Sequence, residues 1–216
     1  MVRPPKNFWL IAPFATWMVL MTVLPATVGG YAVRTAATAA MLVAAWRQGR
    51  KTLDLRRETS LSSRVSRPLA SHVSRLTSFL LPGLLVGLAV FAIWILPEQF
   101  DIPFYRRFCI IGEGGTQAVA EASAVMIAVR LIGSAFVISV AEELFFRKWL
   151  IGFAGFWPMV ALFAVEHDRW LVAAICGVAY GWLYLRRGLG AACVAHATTN
   201  LVLGLWVLKT GQWQFW

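Results

Sequence analysis

"SFLLPGLLVGLAVFAIWILP", residues 78 to 97, is a run without a single Asp, Glu, Lys or Arg. At a rise of about 1.5 Å per residue, a helix of this length crosses the roughly 30 Å hydrocarbon core of a bilayer. Residues 8 to 25 and 189 to 208 form two further runs of similar length without charged side chains. Because lipid offers no partner to backbone polar groups, these runs predict membrane-spanning helices.

The composition of the whole chain supports the same interpretation. Hydrophobic residues make up 59% of the 216 residues and charged residues only 14%, which excludes an ordinary soluble globular domain. We therefore predict an all-α fold, a polytopic membrane helical bundle of about seven transmembrane helices that forms a single membrane domain over residues 1–216. The predicted spans are residues 8–25, 31–46, 78–97, 118–153, 157–167, 170–185 and 189–208.

The positive charges are concentrated in one segment. The net charge is +10, and eight of the twenty cations lie between Arg47 and Arg75. This pattern is typical of a cytoplasmic loop rather than of a nucleic-acid surface. We predict that residues 47–77 are a basic cytoplasmic loop or an interfacial helix, with Leu61 and Val65 on its apolar face. The amino terminus is then cytoplasmic and the carboxy terminus outside, and the partners include membrane lipids but no nucleic acid.

A second apolar segment contains charges that lipid should exclude. "AEELFFRKW", residues 141 to 149, holds two glutamates and two cations, and Glu142 lies about 16 Å from the inner end of its helix at Phe153. Glu143 and Arg147 are spaced i and i+4, so they are predicted to form an internal ion pair that serves as structural support. Glu142 is rotated by about 100° from Glu143 and remains a free carboxylate.

Two other segments bring polar side chains to a comparable depth. His167 ends the fifth predicted span, and His196 and Asn200 are spaced i and i+4 on one face of the last helix. Ionisable groups at this depth normally face a cavity or a partner and mark a functional site. Residues 131–205 are therefore the predicted catalytic core.

The sequences "EELFFR", "FAVEH" and "HATTN" reproduce, in order, the motifs EExxxR, FxxxH and HxxxN. Over residues 131–205 the chain thus resembles the CPBP family of intramembrane glutamate endopeptidases, which includes the type II CAAX prenyl proteases and bacteriocin-processing proteins. The resemblance implies a membrane cavity that opens toward the cytoplasm and a reaction without a metal or other cofactor. It also implies that Glu142 and His167 activate water, while His196 and Asn200 line an oxyanion site.

The resemblance has consequences for the partner and the location. It implies a membrane-anchored peptide or protein substrate, lipidated in the case of the prenyl proteases, and a multi-pass protein of a bacterial inner membrane. The carboxy-terminal stretch "LGLWVLKTGQW" is similar to a CPBP subgroup associated with exosortase systems. The sequence itself does not identify the substrate.

The implied chemistry agrees with elementary electrostatics. A carboxylate that is shielded from bulk water is a stronger base than an exposed one, and a nearby imidazole helps to hold the attacking water. Donors such as Asn200 and His196 would meet the negative charge that develops on the scissile carbonyl, a contact worth about 3 to 4 kcal/mol in other hydrolases. Cys193 is not spaced from a base partner, so we expect it only to pack.

Two features leave alternatives open. Glu166 and Asp168 flank His167, and if they mark the outer water boundary, His167 is too shallow to share a water with Glu142. Glu142, His167 and His196 are also a plausible set of zinc ligands for a metalloprotease, although the chain has no HExxH motif. A membrane scaffold or a proton-coupled carrier is the alternative from another class.

Overall fold

The computed structural model describes residue 5 and residues 7–25, 27–58, 69–111 and 124–215. Within these ranges the chain forms eight helices and no strand, which confirms the predicted helical membrane bundle. The helices are α1 (Phe8–Val23), α2 (Val28–Glu58), α3 (Leu69–Gln99), α4 (Pro103–Phe108), α5 (Ala124–Ala154), α6 (Phe156–Val165), α7 (Trp170–Arg187) and α8 (Leu189–Thr210). A short 3₁₀ turn, Trp213–Phe215, follows α8.

Three of the described helices are long and apolar enough to cross a membrane by length and composition: Thr77–Gln99 of α3, Ala124–Ala154 and Leu189–Thr210. Two shorter helices, α1 and α6, are also apolar. The outward face of α3 carries exposed leucines, which suits contact with lipid; these are Leu80, Leu81, Leu84, Leu85 and Leu88. The number of seven spans stays a prediction.

Both helices that flank the predicted basic loop are longer than the sequence indicated. α2 continues to Glu58 and α3 begins at Leu69. The first part of residues 47–77 therefore belongs to α2, and the last part belongs to α3. Residues 59–68, which include Leu61 and Val65 of the predicted interfacial helix, lie outside the described residues.

The bundle has two distinct ends. α3 and α8 run in parallel, since Gly83 packs against Val194 and the side chains of Gln99 and Gln212, beyond the last turns, are hydrogen-bonded at 2.6 Å. We name the end of the bundle at which α3 and α8 finish the carboxy-terminal end. α1 and α6 also end there, and α2, α5 and α7 begin there. The other end, at which α2, α5 and α7 end, is named the basic end. It carries Arg186 and Arg187 and the flanks of the basic segment.

Glycines on α3 allow its backbone to approach α8 closely. A Cβ atom added at Gly87 would lie 2.5 Å from the carbonyl oxygen of Ala195 and 2.7 Å from Cβ of Thr198. Gly83 faces the same helix one turn earlier, where an added Cβ would lie 2.9 Å from the carbonyl oxygen of Ala191. The position of α3 relative to α8, and hence of everything between them, therefore depends on these two residues.

Gly87→Ala is expected to destabilise the bundle by about 1 to 3 kcal/mol, because the new methyl group meets backbone rather than a side chain that can move. Gly152→Ala on α5 is the matched control, since a Cβ atom there meets nothing within 4 Å. Thermal unfolding of both variants in detergent measures the difference. Equal melting temperatures would show that α3 and α8 do not pack as closely as described.

Three buried hydrophobic clusters hold the described helices together. The largest includes Phe146, Leu150, Met159, Phe163, Leu183 and Ala191. Two smaller clusters lie toward the carboxy-terminal end, one formed by Ile95, Leu203, Val207 and Phe215 and one by Tyr105, Cys109 and Val172. In the largest cluster α6 and α7 meet at Gly177 and Gly181, and an added Cβ at Gly181 would lie 2.8 Å from Cε of Met159.

Candidate active site

The polar residues of α5 sit between two wider turns of the same helix. Gly133–Ile138 and Glu143–Leu150 are π-helical, and the α-helical turn between them ends at Glu142. Segments of this kind are frequent at functional sites. A π-helical turn contains more residues than an α-helical turn. The angle about the helix axis between the Glu142 and Glu143 side chains therefore differs from the value in a regular α-helix.

Glu143 and Arg147 form the ion pair that their spacing predicts. Nη1 of Arg147 lies 3.2 Å from Oε1 of Glu143, and both side chains are completely buried. The guanidinium lies over the ring of Phe163, 4.2 Å from its centroid, and 5.4 Å from that of Tyr180. The cation is thus held by one carboxylate and by aromatic faces.

Glu143 has a second partner that the sequence did not reveal. Nδ1 of His196 lies 2.9 Å from the same Oε1 atom. Because a carboxylate accepts hydrogen bonds, Nδ1 carries the hydrogen, and Nε2 is left to face Glu142. The ring of Tyr180 stacks on that of His196 with centroids 5.0 Å apart. Arg147, Glu143 and His196 therefore form one buried chain.

Glu142 remains a free carboxylate, as its place on the helix predicts. The side chain is buried, with 7% of the residue exposed, and its Oε2 atom has no hydrogen-bond partner within the part of the chain that the structure describes. The nearest cationic candidate, Nε2 of His196, is 3.8 Å from Oε2, too far for a hydrogen bond. Lys148 is exposed on the surface and does not reach inward. A buried oxygen of this kind is normally satisfied by water or a ligand.

His167 lies in the connection after α6, which ends at Val165, and not on the helix itself as predicted. The helix stops two residues earlier because Glu166 to Arg169 turn toward α7. Nδ1 of His167 is 2.8 Å from the carbonyl oxygen of Phe163. A carbonyl only accepts, so Nδ1 carries the hydrogen and Nε2 keeps its lone pair.

Asn200 and its neighbour Thr199 tie α8 to three helices. Nδ2 of Asn200 donates to the carbonyl oxygen of Ser134 at 3.0 Å. The hydroxyl of Tyr180 donates to Oγ1 of Thr199 at 2.7 Å, and Oγ1 lies 2.8 Å from the carbonyl oxygen of Gly87. Tyr180 and Thr199 lie at positions that no motif marks, so sequence reasoning missed them.

A cavity of about 170 Å³ brings together the four residues of the predicted catalytic set, Glu142, His167, His196 and Asn200. His167 and Glu142 thus line the same space, which is the arrangement that a shared water requires. The rest of the wall is largely aromatic and apolar; it includes Trp94, Ser134, Phe163, Cys176, Tyr180, Thr199, Leu203, Gly204 and Phe215.

A second cavity of about 270 Å³ adjoins the first, and the two share Ser134, Glu142, His167 and Asn200. It lies between α1, α2 and α5, and the residues that it adds are Trp17, Met18, Met21, Tyr31, Arg130, Ile138 and Glu166. Arg130 and Glu166 thus line the same space as Glu142.

The described part of the chain contains no group of three or more His, Cys, Asp or Glu side chains placed to hold a metal ion. Glu142, His167 and His196 line one cavity, but they are not arranged as a ligand set in this structure. The three cysteines are free thiols.

Residues 124–202 match the family model described as Rce1-like, type II CAAX prenyl endopeptidase. Over this segment the chain is similar to the Rce1-like family. The matched segment contains all three motifs and every member of the Glu142, His167, His196 and Asn200 set, which confirms the CAAX protease resemblance. No curated protein and no solved structure matches the chain. The similarity to an exosortase-associated subgroup stays a prediction.

Proposed function

We propose that the protein is an intramembrane endopeptidase that hydrolyses a peptide bond of a membrane-associated substrate. The observation that carries the proposal is the buried, unpaired Oε2 atom of Glu142, which faces a cavity shared with two imidazoles. The similarity of residues 124–202 to the Rce1-like family supports the same class of reaction.

In the proposed reaction, Glu142 and His167 hold the attacking water. Nε2 of His167 accepts one hydrogen of the water, because Nδ1 is committed to the carbonyl of Phe163. The Glu142 carboxylate accepts the other hydrogen and takes that proton as the water oxygen bonds to the scissile carbonyl carbon. Removal from bulk water makes this carboxylate a stronger base than an exposed one.

His196 and Asn200 would stabilise the oxyanion that forms. Nδ1 of His196 donates to the Glu143 carboxylate, and Nε2 faces the cavity, where it would donate to the oxyanion when both ring nitrogens carry a hydrogen. One N–H of the Asn200 amide donates to the carbonyl oxygen of Ser134, and the second N–H would donate to the substrate. When the C–N bond breaks, the proton held by Glu142 passes to the leaving nitrogen, which gives a free amine and a carboxylate.

The two histidines have different roles because their Nδ1 partners differ. Nδ1 of His196 donates to the Glu143 carboxylate, whereas Nδ1 of His167 donates to the carbonyl of Phe163. In the proposed reaction the first ring donates to the oxyanion and the second accepts from the water. Glu143 holds the His196 ring, and Arg147 pairs with Glu143. Neither residue contacts the substrate in this proposal.

The substrate in this proposal is a membrane-anchored peptide or protein. Rce1-like relatives are described as prenyl endopeptidases, so a lipidated substrate is one case of this class. The proposal includes a location in a bacterial inner membrane, with the amino terminus and the basic segment in the cytoplasm; the concentration of cations between Arg47 and Arg75 supports this orientation.

Mass spectrometry of membrane peptides tests the proposed function. Cells with the active protein should contain new termini within a membrane-associated protein, and cells with an equal amount of the Glu142→Gln variant should not. Identical peptide sets would contradict a peptidase and favour a scaffold or carrier. Metal analysis of active protein purified without chelator tests the zinc alternative directly.

A further inference from the structure

One face of α5 connects the candidate active site with an arginine. Arg130, Ser134, Ile138 and Glu142 follow one another at intervals of four residues, and all four line the cavity of about 270 Å³. Side chains spaced i and i+4 lie one above the other on a helix. The cavity therefore runs along this face of α5, with Arg130 at one end and Glu142 at the other.

Arg130 is positioned by Tyr31 of α2, which lines the same cavity. Cζ of Arg130 lies 5.3 Å from the centroid of the Tyr31 ring, and the Tyr31 hydroxyl donates to the backbone carbonyl oxygen of Arg130 at 3.2 Å. The two helices are close at this level, because a Cβ atom added at Gly133 would lie 2.9 Å from Oγ1 of Thr35. The place of the Arg130 guanidinium group is thus set by the packing of α2 against α5.

Arg34 of α2 adds a second positive charge near the same ring. Its Cζ atom lies 5.9 Å from the centroid of the Tyr31 ring and 5.5 Å from that of Trp17, and the residue is buried. Charged side chains within membrane helices face a cavity or a partner and often mark the path of a substrate. Two arginines around one tyrosine make the Tyr31 end of the cavity electropositive.

The carboxylates of the cavity wall are Glu142 and Glu166. Glu142 lies at the other end of the α5 face, and Glu166 precedes His167, which lines the part that the two cavities share. A negative group on a ligand is attracted by Arg130 and repelled by these carboxylates when they are ionised. An anionic group would therefore lie at the Arg130 end, while the rest of the ligand extends toward Glu142.

The length of this face limits the distance between such a group and the reacting bond. Arg130 and Glu142 are twelve positions apart, which corresponds to about 18 Å along the helix axis at a rise of about 1.5 Å per residue. A fully extended peptide spans about 3.3 to 3.6 Å per residue. About five residues of an extended peptide thus cover the whole face, and fewer are needed where side chains reach toward each other.

We propose that Arg130 binds a carboxylate of the substrate and so selects peptides that carry one within about five residues of the cleaved bond. A guanidinium group pairs with a carboxylate through two parallel N–H···O hydrogen bonds, which a lysine does not reproduce. The carboxylate belongs either to the chain end of the peptide or to an Asp or Glu side chain, since both have the same chemistry. This inference rests on the proposed peptidase function and names a feature that its substrate carries.

Binding of a short probe peptide tests the inference without cleavage. The probe is an apolar peptide of about five residues with an amino-terminal fluorophore, made with a free carboxyl terminus, with a carboxamide terminus, and with a carboxamide terminus after a final glutamate. Fluorescence anisotropy gives the Kd for protein in nanodiscs, and empty nanodiscs correct for partition into lipid. Every protein carries Glu142→Gln, so that the probe stays intact. Arg130→Gln and Arg130→Lys are added to this background, and Arg187→Gln, which removes an exposed arginine at the end of α7, is the matched control.

With Arg130 present, the free acid should bind about 10- to 100-fold more tightly than the plain amide, as expected for a hydrogen-bonded charged group. Arg130→Gln should bind the acid as weakly as the amide, Arg130→Lys should keep part of the preference, and Arg187→Gln should keep all of it. Both results for the glutamate form agree with the inference: binding like the acid shows that a side-chain carboxylate is accepted, and binding like the plain amide restricts recognition to the chain end.

Equal binding of acid and plain amide by the protein with Arg130, or binding of neither, would overturn the inference, as would an unchanged preference in Arg130→Gln. If Arg130→Gln does not fold, Arg130→Lys decides, because a preference equal to that of the protein with Arg130 would exclude a role for the planar guanidinium group. The ratio of the two Kd values does not depend on cleavage. The inference can therefore fail while the peptidase function stands, and the peptidase function can fail while the ratio is as expected.

Discussion

Arg147→Ala should lower the stability of the protein by about 3 to 5 kcal/mol, the range found when one partner of a buried ion pair is removed. The substitution leaves Glu143 in a site with 0% exposure, where only the His196 ring remains as a partner. It also removes the planar group that lies over Phe163 and beside Tyr180. Thermal unfolding in detergent and the yield of folded protein measure the effect.

Two further variants separate the causes of this loss. Asn200→Ala removes one hydrogen bond to a backbone carbonyl, so it should cost only about 0.5 to 1.5 kcal/mol. Arg147→Lys keeps the charge but loses the planar guanidinium, and its stability should lie between those of the unaltered protein and Arg147→Ala. If Arg147→Ala and Asn200→Ala unfold at the same temperature with the same yield, the pair does not hold α5 as described.

The candidate catalytic set could be predicted in part from the sequence because it depends on local geometry. Depth along a helix follows from a rise of about 1.5 Å per residue, and shared faces follow from i, i+4 spacing. These two relations predicted a comparable depth for Glu142, His196 and Asn200 and paired Glu143 with Arg147. The charge-free run of residues 189–208 likewise predicted α8, which carries His196 and Asn200.

Other features depend on how helices pack, which no local pattern contains. The contact of Glu143 with His196 requires the approach of α8 to α5, and the π-helical turns of α5 change the rotation that a regular helix would give. The link from Tyr180 through Thr199 to Gly87 joins three helices.

Glu142→Gln should lower the cleavage rate by about 10² to 10⁴-fold, the usual contribution of a general base. Glutamine has nearly the same volume and still forms hydrogen bonds, but its amide does not take a proton from water at neutral pH. Because Oε2 of Glu142 has no hydrogen-bond partner among the described residues, the substitution breaks no such contact of that atom. The variant should fold and melt like the unaltered protein.

Glu143→Gln is the matched control on the next position of the same helix. Glutamine can still accept the hydrogen of His196 Nδ1, and it keeps a neutral contact with Arg147. A neutral amide holds the His196 ring less strongly than a carboxylate does, so the rate should fall, but a measurable part of the activity should remain. The comparison separates the loss of a base from the loss of support for the oxyanion donor.

The most direct measurement is the cleavage rate of one identified membrane peptide by equal amounts of unaltered protein, Glu142→Gln and Glu143→Gln in proteoliposomes. If Glu142 is the base, the unaltered protein cleaves the peptide, Glu143→Gln retains part of that rate, and Glu142→Gln falls by about 10² to 10⁴-fold without loss of folded protein. Cleavage by Glu142→Gln at the full rate would contradict the account, since it would remove Glu142 from the reaction and leave its charge with a structural role.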